Sequence, residues 1–368
     1  DGRIEEGVLQ GNLHIVGSGD PTLGSWRWES TRESQVLQEW VNEIKRIGIK
    51  KVNGIIINDE KNWSTSTIPD GWIWQDIGNY YGAGAVSLNW HENQYDILLN
   101  PGVKEGDPSV IAEIIPSYTG LVFENESTTG PKNSGDNAYI YLPMGNTKGT
   151  IRGTIPLGER SFSISGAVPD PVLFFLKAVN NYLQSAGILQ PAVVSRYPVT
   201  NPAEQHALTV YLSPALDSMN YWFLKRSINL YGEAFVKTIS FEKNHFGSTD
   251  SGINIIKNFW MQHGIDKREL KIIDGSGLSP ANRVTTAALV SILQYAKSRP
   301  WFNSFYNSLP EINGIKMKDG YINGVRSYAG FIKSKSGIEY TFSFMVNNFD
   351  GSAAKAREKM WALLDVLK

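Results

Sequence analysis

The sequence has no cysteine among its 368 residues, which excludes disulfides, thiolate metal sites and a cysteine nucleophile, and which suits a reducing cytosol and a bacterial envelope equally well. Long apolar runs are missing too. No stretch approaches the roughly 18 to 20 residues needed to cross a bilayer, so no transmembrane segment is expected in this chain, and Asp1 to Gly7 is polar where a secretion signal is apolar. Charge of one sign is equally scarce: 35 basic and 36 acidic residues leave a net charge of −1 with no basic stripe, so nucleic acid is not an expected partner. The five histidines, His14, His91, His206, His245 and His263, never take the His-x-x-x-His spacing, and no metal is expected. Gly17 and Gly19 lack the third glycine of a dinucleotide loop, and no Gly-x-Ser-x-Gly elbow occurs. That leaves no expected cofactor and argues against an α/β-hydrolase.

What is present describes an ordinary globular protein, with 41% hydrophobic and 19% charged residues, and the length predicts two or three domains. Gly7 to Gly17 alternates as a strand hairpin does, and Ser34 to Ile47 places Val36, Leu37, Trp40, Val41, Ile44 and Ile47 on one helical face before Gly48. Val52 to Asp59 reads as one buried strand, Asn125 to Asn137 as an exposed loop, Thr150 to Ile155 as a strand, and Pro171 to Ala186 as an apolar helix closed by Gly187. From about Asn201 the character changes: helices dominate between Pro214 and Lys257, with another at Thr285 to Lys297, a hairpin of Ser327 to Ile332 with Tyr340 to Asn347, and a last helix at Ser352 to Leu367. A sheet covered by helices makes this half α+β. Seven of the eleven tryptophans occur by Trp90, which fits core and interface packing and leaves a sugar-stacking face as the other reading.

Three short stretches can carry chemistry. In Ser227-Ile228-Asn229 a turn or extended backbone lets a hydroxyl and an amide converge on one substrate, which a helix prevents. In Lys318-Asp319-Gly320, just ahead of the hairpin, a lysine at a strand edge can hold a carboxylate or a proton while the glycine lets a substrate backbone approach. Between them, Asp274 to Ser279 (DGSGLS) has two glycines around Ser276, a pattern that serves a hydroxyl-presenting turn or a plain connecting loop.

Taken together and in this order, Ser227-x-Asn229, Asp274 to Ser279, Lys318-x-Gly320 with Val325 to Ile332 (VRSYAGFI), and Val346-Asn347-Asn348 resemble the D-Ala-D-Ala carboxypeptidase/endopeptidase family of class C penicillin-binding proteins. Gly11 to Leu23 (GNLHIVGSGDPTL), Asp59 to Trp63 with Gly71-Trp72, and Gly153 to Pro156 before Asp170-Pro171 extend the resemblance over nearly the whole chain. The resemblance implies an α+β penicillin-binding, β-lactamase-like transpeptidase core at 201–368, with accessory α/β and β-rich domains inserted at 1–200, the β-rich part at about 63–150. It implies a serine acyltransferase of the bacterial cell envelope, periplasmic or extracytoplasmic, that cleaves peptidoglycan stem peptides through an acyl-serine, takes β-lactams as covalent inhibitors and uses no cofactor. In that scheme Ser227 relays a proton, Asn229 positions the substrate amide, Lys318 sustains the electrostatics and Gly320 admits the substrate strand. Ser276 and Asp319 belong to the substrate-binding set, and Asp59 is the candidate acidic residue for the amino group of the stem peptide.

The sequence departs from the family's pattern twice. The Ser-x-x-Lys motif that carries the nucleophile belongs upstream of Gly-Asn-Leu, where only ten residues stand here, none of them serine. Ser240-x-x-Lys243 and Ser352-x-x-Lys355 match only literally, both falling after Ser-x-Asn. The nucleophile is therefore expected in a segment ahead of Asp1, and the other reading is a non-catalytic peptidoglycan-binding or scaffold protein that has lost it. Asp319, in turn, stands where the family has a hydroxyl residue for the substrate's terminal carboxylate. Two like charges about 4 Å apart repel by roughly 4 kcal/mol at an effective dielectric of 20, so a weakened carboxypeptidase is expected.

Overall fold

The helix read from Ser34 to Ile47 forms as α1 (Glu33–Arg46), with Glu33 in its first turn, Lys45 and Arg46 in its last, and Val36, Leu37, Val41 and Ile44 buried. Acid at the start and base at the end complement the helix dipole. Gly48, at φ +87°, then turns the chain in a conformation a side chain would resist. The computed structural model describes residues 1–189, the backbone of 194–195, and 206–368. The chain folds into two units, Asp1–Pro214 with Glu233–Gly252, and Ala215–Gly232 with Ile253–Lys368. The expected boundary at 200/201 lies outside the described residues.

The first unit begins with a hairpin of β1 (Arg3–Glu5) and β2 (Val8–Gln10). After it, β3 (Leu13–Val16) pairs in parallel with β5 (Ile56–Asp59), while β4 (Lys51–Val52) joins β2 in a separate sheet. Two sequence readings change accordingly. The hairpin sits one strand earlier than Gly7 to Gly17, and Val52 to Asp59 is two strands of different sheets. The break falls at Gly54, where a Cβ would collide with the Gly11 carbonyl, and Ile55 N–H donates to Asn12 Oδ1 at 3.0 Å.

After α2 (Trp74–Ile77) come β6 (Gln94–Asn100), β7 (Val110–Ile115), β8 (Val122–Asn125), β9 (Thr128–Gly130), β10 (Asn137–Tyr141), β11 (Lys148–Pro156) and β12 (Phe162–Ala167). They make two sheets, β12-β6-β7 and β10-β11-β8, and β9 also pairs with β11. The stretch Asn125 to Asn137 is thus only partly loop. The helix α3 (Pro171–Ser185) starts on Asp170, whose side chain accepts from Leu173 N–H at 3.0 Å, and buries Val172, Phe174, Phe175 and Leu176 among others. Strand β13 (Val194–Ser195) adds to β5 in parallel. One apolar core runs through the unit from Leu9 to Ile188, with Trp90 and Phe175 fully enclosed.

In the second half of the chain α4 (Leu216–Arg226), α5 (Asn229–Asn244) and α6 (Thr249–Gln262) follow one another. The part of α5 beyond Gly232 belongs to the first unit: Phe241 stacks on Trp63 at 5.5 Å and 16°, and Gly247 exchanges backbone hydrogen bonds with Asn62 and Ser64. The second unit continues with the short ribbon β14 (Leu270–Lys271) and β15 (Arg283–Val284), then α7 (Thr286–Lys297) and α8 (Phe302–Ser308). An antiparallel sheet of β16 (Glu311–Ile312), β17 (Ile315–Ile322), β18 (Val325–Lys333) and β19 (Glu339–Asn347) precedes α9 (Ala353–Asp365). One face of this sheet, with Ile315, Met317, Tyr328, Ile332 and Phe342, packs on Met360 and Leu364 of α9. The other carries Phe331 and Ala329 against Leu224, Leu293, Phe302 and Phe305. Helices on both faces of an antiparallel sheet make this unit α+β, as the sequence indicates.

Candidate active site

Ser227 closes α4 in the left-handed conformation (φ 53°, ψ 49°), and Asn229 is the first residue of α5. The tripeptide is therefore a break between two helices, which the convergence of a hydroxyl and an amide requires. Ile228 between them is buried and Ser227 is exposed, so the break is pinned by its apolar middle residue. A left-handed serine is strained relative to glycine, and the chain accepts that cost where two helices must meet.

The end of α4 reaches the sheet face that bears Lys318. Lys225 Nζ donates to the Leu309 carbonyl at 2.7 Å, and Lys316 Nζ approaches the same oxygen at 3.5 Å. Burial and the neighbouring Lys316 charge lower the Lys225 pKa from its ordinary value, as two ammonium groups sharing one acceptor must. Lys225 is two residues from Ser227, and Lys316 is two residues from Lys318 along the same face, a step of about 6.7 Å. The end of α4 and the Lys316 position of β17 thus meet at one carbonyl of the second unit, with Ser227 and Lys318 each two residues further along their own elements.

Lys318 opposes Ala329, Asp319 opposes Tyr328 and Gly320 opposes Ser327. Past Lys316 no strand among the described residues pairs with the outer edge of β17; Met317 N–H donates to the Pro310 carbonyl at 3.1 Å, and an added strand has room beyond it. Lys318 Nζ donates to the Asp319 carbonyl at 2.8 Å and lies 3.4 Å from Asp319 Oδ1. Gly320 leaves clear a position where a Cβ would stand 2.7 Å from Ser327 Oγ.

Asp319 shares the opposite sheet face with Met317, and its company there differs from the sequence expectation. Arg326 Nη2 stands 3.8 Å from Asp319 Oδ2, while Arg326 Nε donates to Tyr328 Oη at 2.8 Å. Asp319 thus has a guanidinium as well as Lys318 beside it, and spacing cannot reveal the first of these because Arg326 arrives through strand register.

The Asp274 to Ser279 loop lies against the first turn of α5: a Cβ on Gly232 would meet the Gly275 carbonyl oxygen at 2.7 Å. Buried Asp274 organises the loop. Its carboxylate accepts from Gly277 N–H at 2.8 Å, Ser279 N–H at 2.7 Å and Asn282 Nδ2 at 2.9 Å. Ser276 Oγ accepts from Leu278 N–H at 3.2 Å. Replacing Asp274 with alanine strands those donors and is expected to cost about 2 kcal/mol, read as a lower denaturation midpoint at unchanged slope; an unchanged midpoint removes Asp274 as the loop's organiser.

Asp59 belongs to the first unit, at the end of β5, where Lys61 Nζ lies 3.4 Å from its carboxylate. Ser240 Oγ donates to the Phe246 carbonyl at 2.6 Å from inside α5, and Ser352 caps α9, so both chance Ser-x-x-Lys matches have structural occupations. Among the described residues no group of three or more acidic or histidine side chains could hold a metal, and no helix is long and apolar enough to cross a membrane. Sequence reasoning passes over Lys237, eight residues after Asn229 and 1% exposed, although a lysine four residues after Glu233 in an apolar helix is a visible signal.

A model of the D-Ala-D-Ala carboxypeptidase 3 (S13) family matches residues 1–315. The chain is 26% identical to a D-alanyl-D-alanine carboxypeptidase of an Actinomadura species, over 94% of this chain and 67% of that protein. It is 25% identical to the D-alanyl-D-alanine carboxypeptidase DacB of Haemophilus influenzae, over 98% of this chain and 76% of that one. The crystal structure of penicillin binding protein 4 from Haemophilus influenzae superposes with a TM-score of 0.77 at 21% identity, covering 96% of this chain and 80% of that one. A second structure of that protein, complexed with a β-lactam, matches with a TM-score of 0.74 at 19% identity.

Proposed function

Because the chain belongs to the D-Ala-D-Ala carboxypeptidase 3 (S13) family of serine-type hydrolases, we propose that it cleaves peptidoglycan stem peptides at D-Ala-D-Ala in the bacterial envelope, outside the cytoplasm, through an acyl-serine. The observation that carries this reading is that α4, which ends at Ser227, is tied through Lys225 to the Leu309 carbonyl that Lys316 also approaches, two residues before Lys318 on β17. A peptide laid along the outer edge of β17 pairs its backbone with that strand, and Gly320 leaves space for it. Asn229 holds the substrate amide, Ser227 passes a proton towards the leaving amine, and Lys318 supplies the positive field for the substrate carboxylate and for charge developing at the carbonyl. The nucleophile is the serine of a Ser-x-x-Lys motif. It attacks the carbonyl carbon, D-alanine leaves with a proton, and water hydrolyses the ester. An endopeptidase cut at D-Ala-diaminopimelate follows the same course with a larger leaving amine.

The test is the intact mass of the longest product of the coding sequence after incubation with a penicillin. One added β-lactam mass on a Ser-x-x-Lys serine is expected. Absence of any adduct on a protein that carries that motif overturns the reading, and absence of the motif itself turns it towards the non-catalytic scaffold.

A further inference from the structure

The structure sorts the tryptophans crowded into the first ninety residues: Trp63, Trp72 and Trp90 are buried, whereas Trp26 and Trp74 are 46% and 49% exposed. Trp74 opens α2, and two devices hold that short helix on β10. Gly78 has no side chain at a point where a Cβ would run into the Ile140 carbonyl. Asn79 accepts the Ile140 N–H at 3.0 Å and donates to the Gln75 carbonyl at 2.7 Å. An exposed indole is thereby fixed 6.0 Å from the Tyr141 ring, at 44°.

From Trp74 a row of side chains continues across the sheet. Tyr141 opposes Thr150, and Thr150 opposes Glu124. Ala138, Ile140 and Ile151 turn inward and are buried, so the alternation of the strands puts Tyr139, Tyr141, Lys148, Thr150, Arg152 and Glu124 on the other face. The Arg152 guanidinium lies 5.4 Å from the Tyr141 ring centre and donates through Nε to Glu126 at 2.7 Å. Trp74, Tyr141, Lys148, Thr150, Arg152 and Glu124 line a groove of about 610 Å³.

We propose that this groove binds the glycan of peptidoglycan, a chain of N-acylated amino sugars; the proposal rests on the peptidoglycan reading of the protein. A pyranose ring offers C–H groups on its face and hydroxyls and amides at its rim. Two aromatic rings receive the face, while Glu124 accepts from hydroxyls and Lys148, Thr150 and Arg152 donate to hydroxyl and acyl oxygens. Charges of both signs suit a polyol better than a polyanion. A peptide is disfavoured at the centre of the groove because β11 is paired on both sides and offers no backbone edge for strand addition there.

The longest product of the coding sequence is sedimented with glycan strands from which an amidase has removed the stem peptides, and tryptophan fluorescence is followed with a soluble N-acetylglucosamine tetramer. The wild type is expected to bind both. Trp74→Ala and Tyr141→Ala are expected to weaken binding about tenfold or more, and Trp26→Ala, at the other exposed tryptophan of the first ninety residues, to leave it unchanged. Wild-type binding that requires stem peptides, or a folded Trp74→Ala protein that binds as the wild type does, overturns the proposal. Should Trp74→Ala fail to fold, Glu124→Gln, which keeps its shape, decides by weakening or not weakening the tetramer. A penicillin adduct without glycan binding sinks the groove alone, and glycan binding without an adduct sinks the peptidase reading alone.

Discussion

Replacing Lys318 with alanine is expected to slow D-alanine release from a D-Ala-D-Ala peptide by about 10²- to 10³-fold, the usual cost of removing one preorganised donor or charge from a reacting centre. The ammonium is held in place by the Asp319 carbonyl at 2.8 Å, so it needs little reorganisation when a carboxylate or an oxyanion arrives. Loss of that field affects acylation by a penicillin as well, and both rates should fall together. Arginine is a poor substitute, because its planar fork cannot occupy the point position of an ammonium bonded to that carbonyl. Lys316, two residues back on the same face, spends its charge near the Leu309 carbonyl at 3.5 Å. Lys316→Ala therefore serves as the comparison for a general loss of positive charge. Assay of the longest coding product decides: if Lys318→Ala acylates at the wild-type rate, Lys318 is no part of the machinery.

Elements made by local rules are readable in the sequence. The charged ends and glycine stop of α1, the threonine cap of α7, and the alternation of β18 and β19 all depend on neighbours within a few residues. The order of the three motifs is equally legible, and the third, Asp274 to Ser279, lies against the first turn of α5. The misread parts are those decided by distant partners. Val52 to Asp59 reads as continuous because nothing local announces that Gly54 must slide under the Gly11 carbonyl. The neighbour of Asp319 across the ladder is hidden for the same reason, because Arg326 reaches it only through the β17–β18 register. Glu233, one turn before Lys237, is visible in the sequence, but the two carbonyls that hold Lys237 are not, since both come from loops more than 150 residues earlier.

Lys237 supports the second large prediction. Its Nζ donates to the carbonyls of Ser66 and Ala85, each at 2.6 Å, and Glu233 lies one turn earlier on α5, fully buried. Exchanging the lysine for methionine leaves two carbonyls without their donor and removes the positive charge near Glu233, a loss of about 3 kcal/mol at neutral pH. The pH dependence identifies the cause. Burial, only partly opposed by the Glu233 charge, brings the Lys237 pKa down from 10.5 to about 8. Between those values the unfolded chain holds more protons at this site than the folded one, so stability rises with pH through the window. The gain is complete above pH 10.5, is lost as pH falls through 8, and amounts to on the order of 3 kcal/mol. Tyr81 and Tyr211, whose pKa values burial pushes up, act with the opposite sign above about pH 10, but they are common to both proteins and cancel in the difference. Denaturant unfolding of wild type and Lys237→Met at pH 8, 9 and 10 should show their stabilities diverging as pH rises. A constant gap across that range would mean that Lys237 is not titrating in the folded protein, and that α5, which begins at Asn229, is held by packing alone.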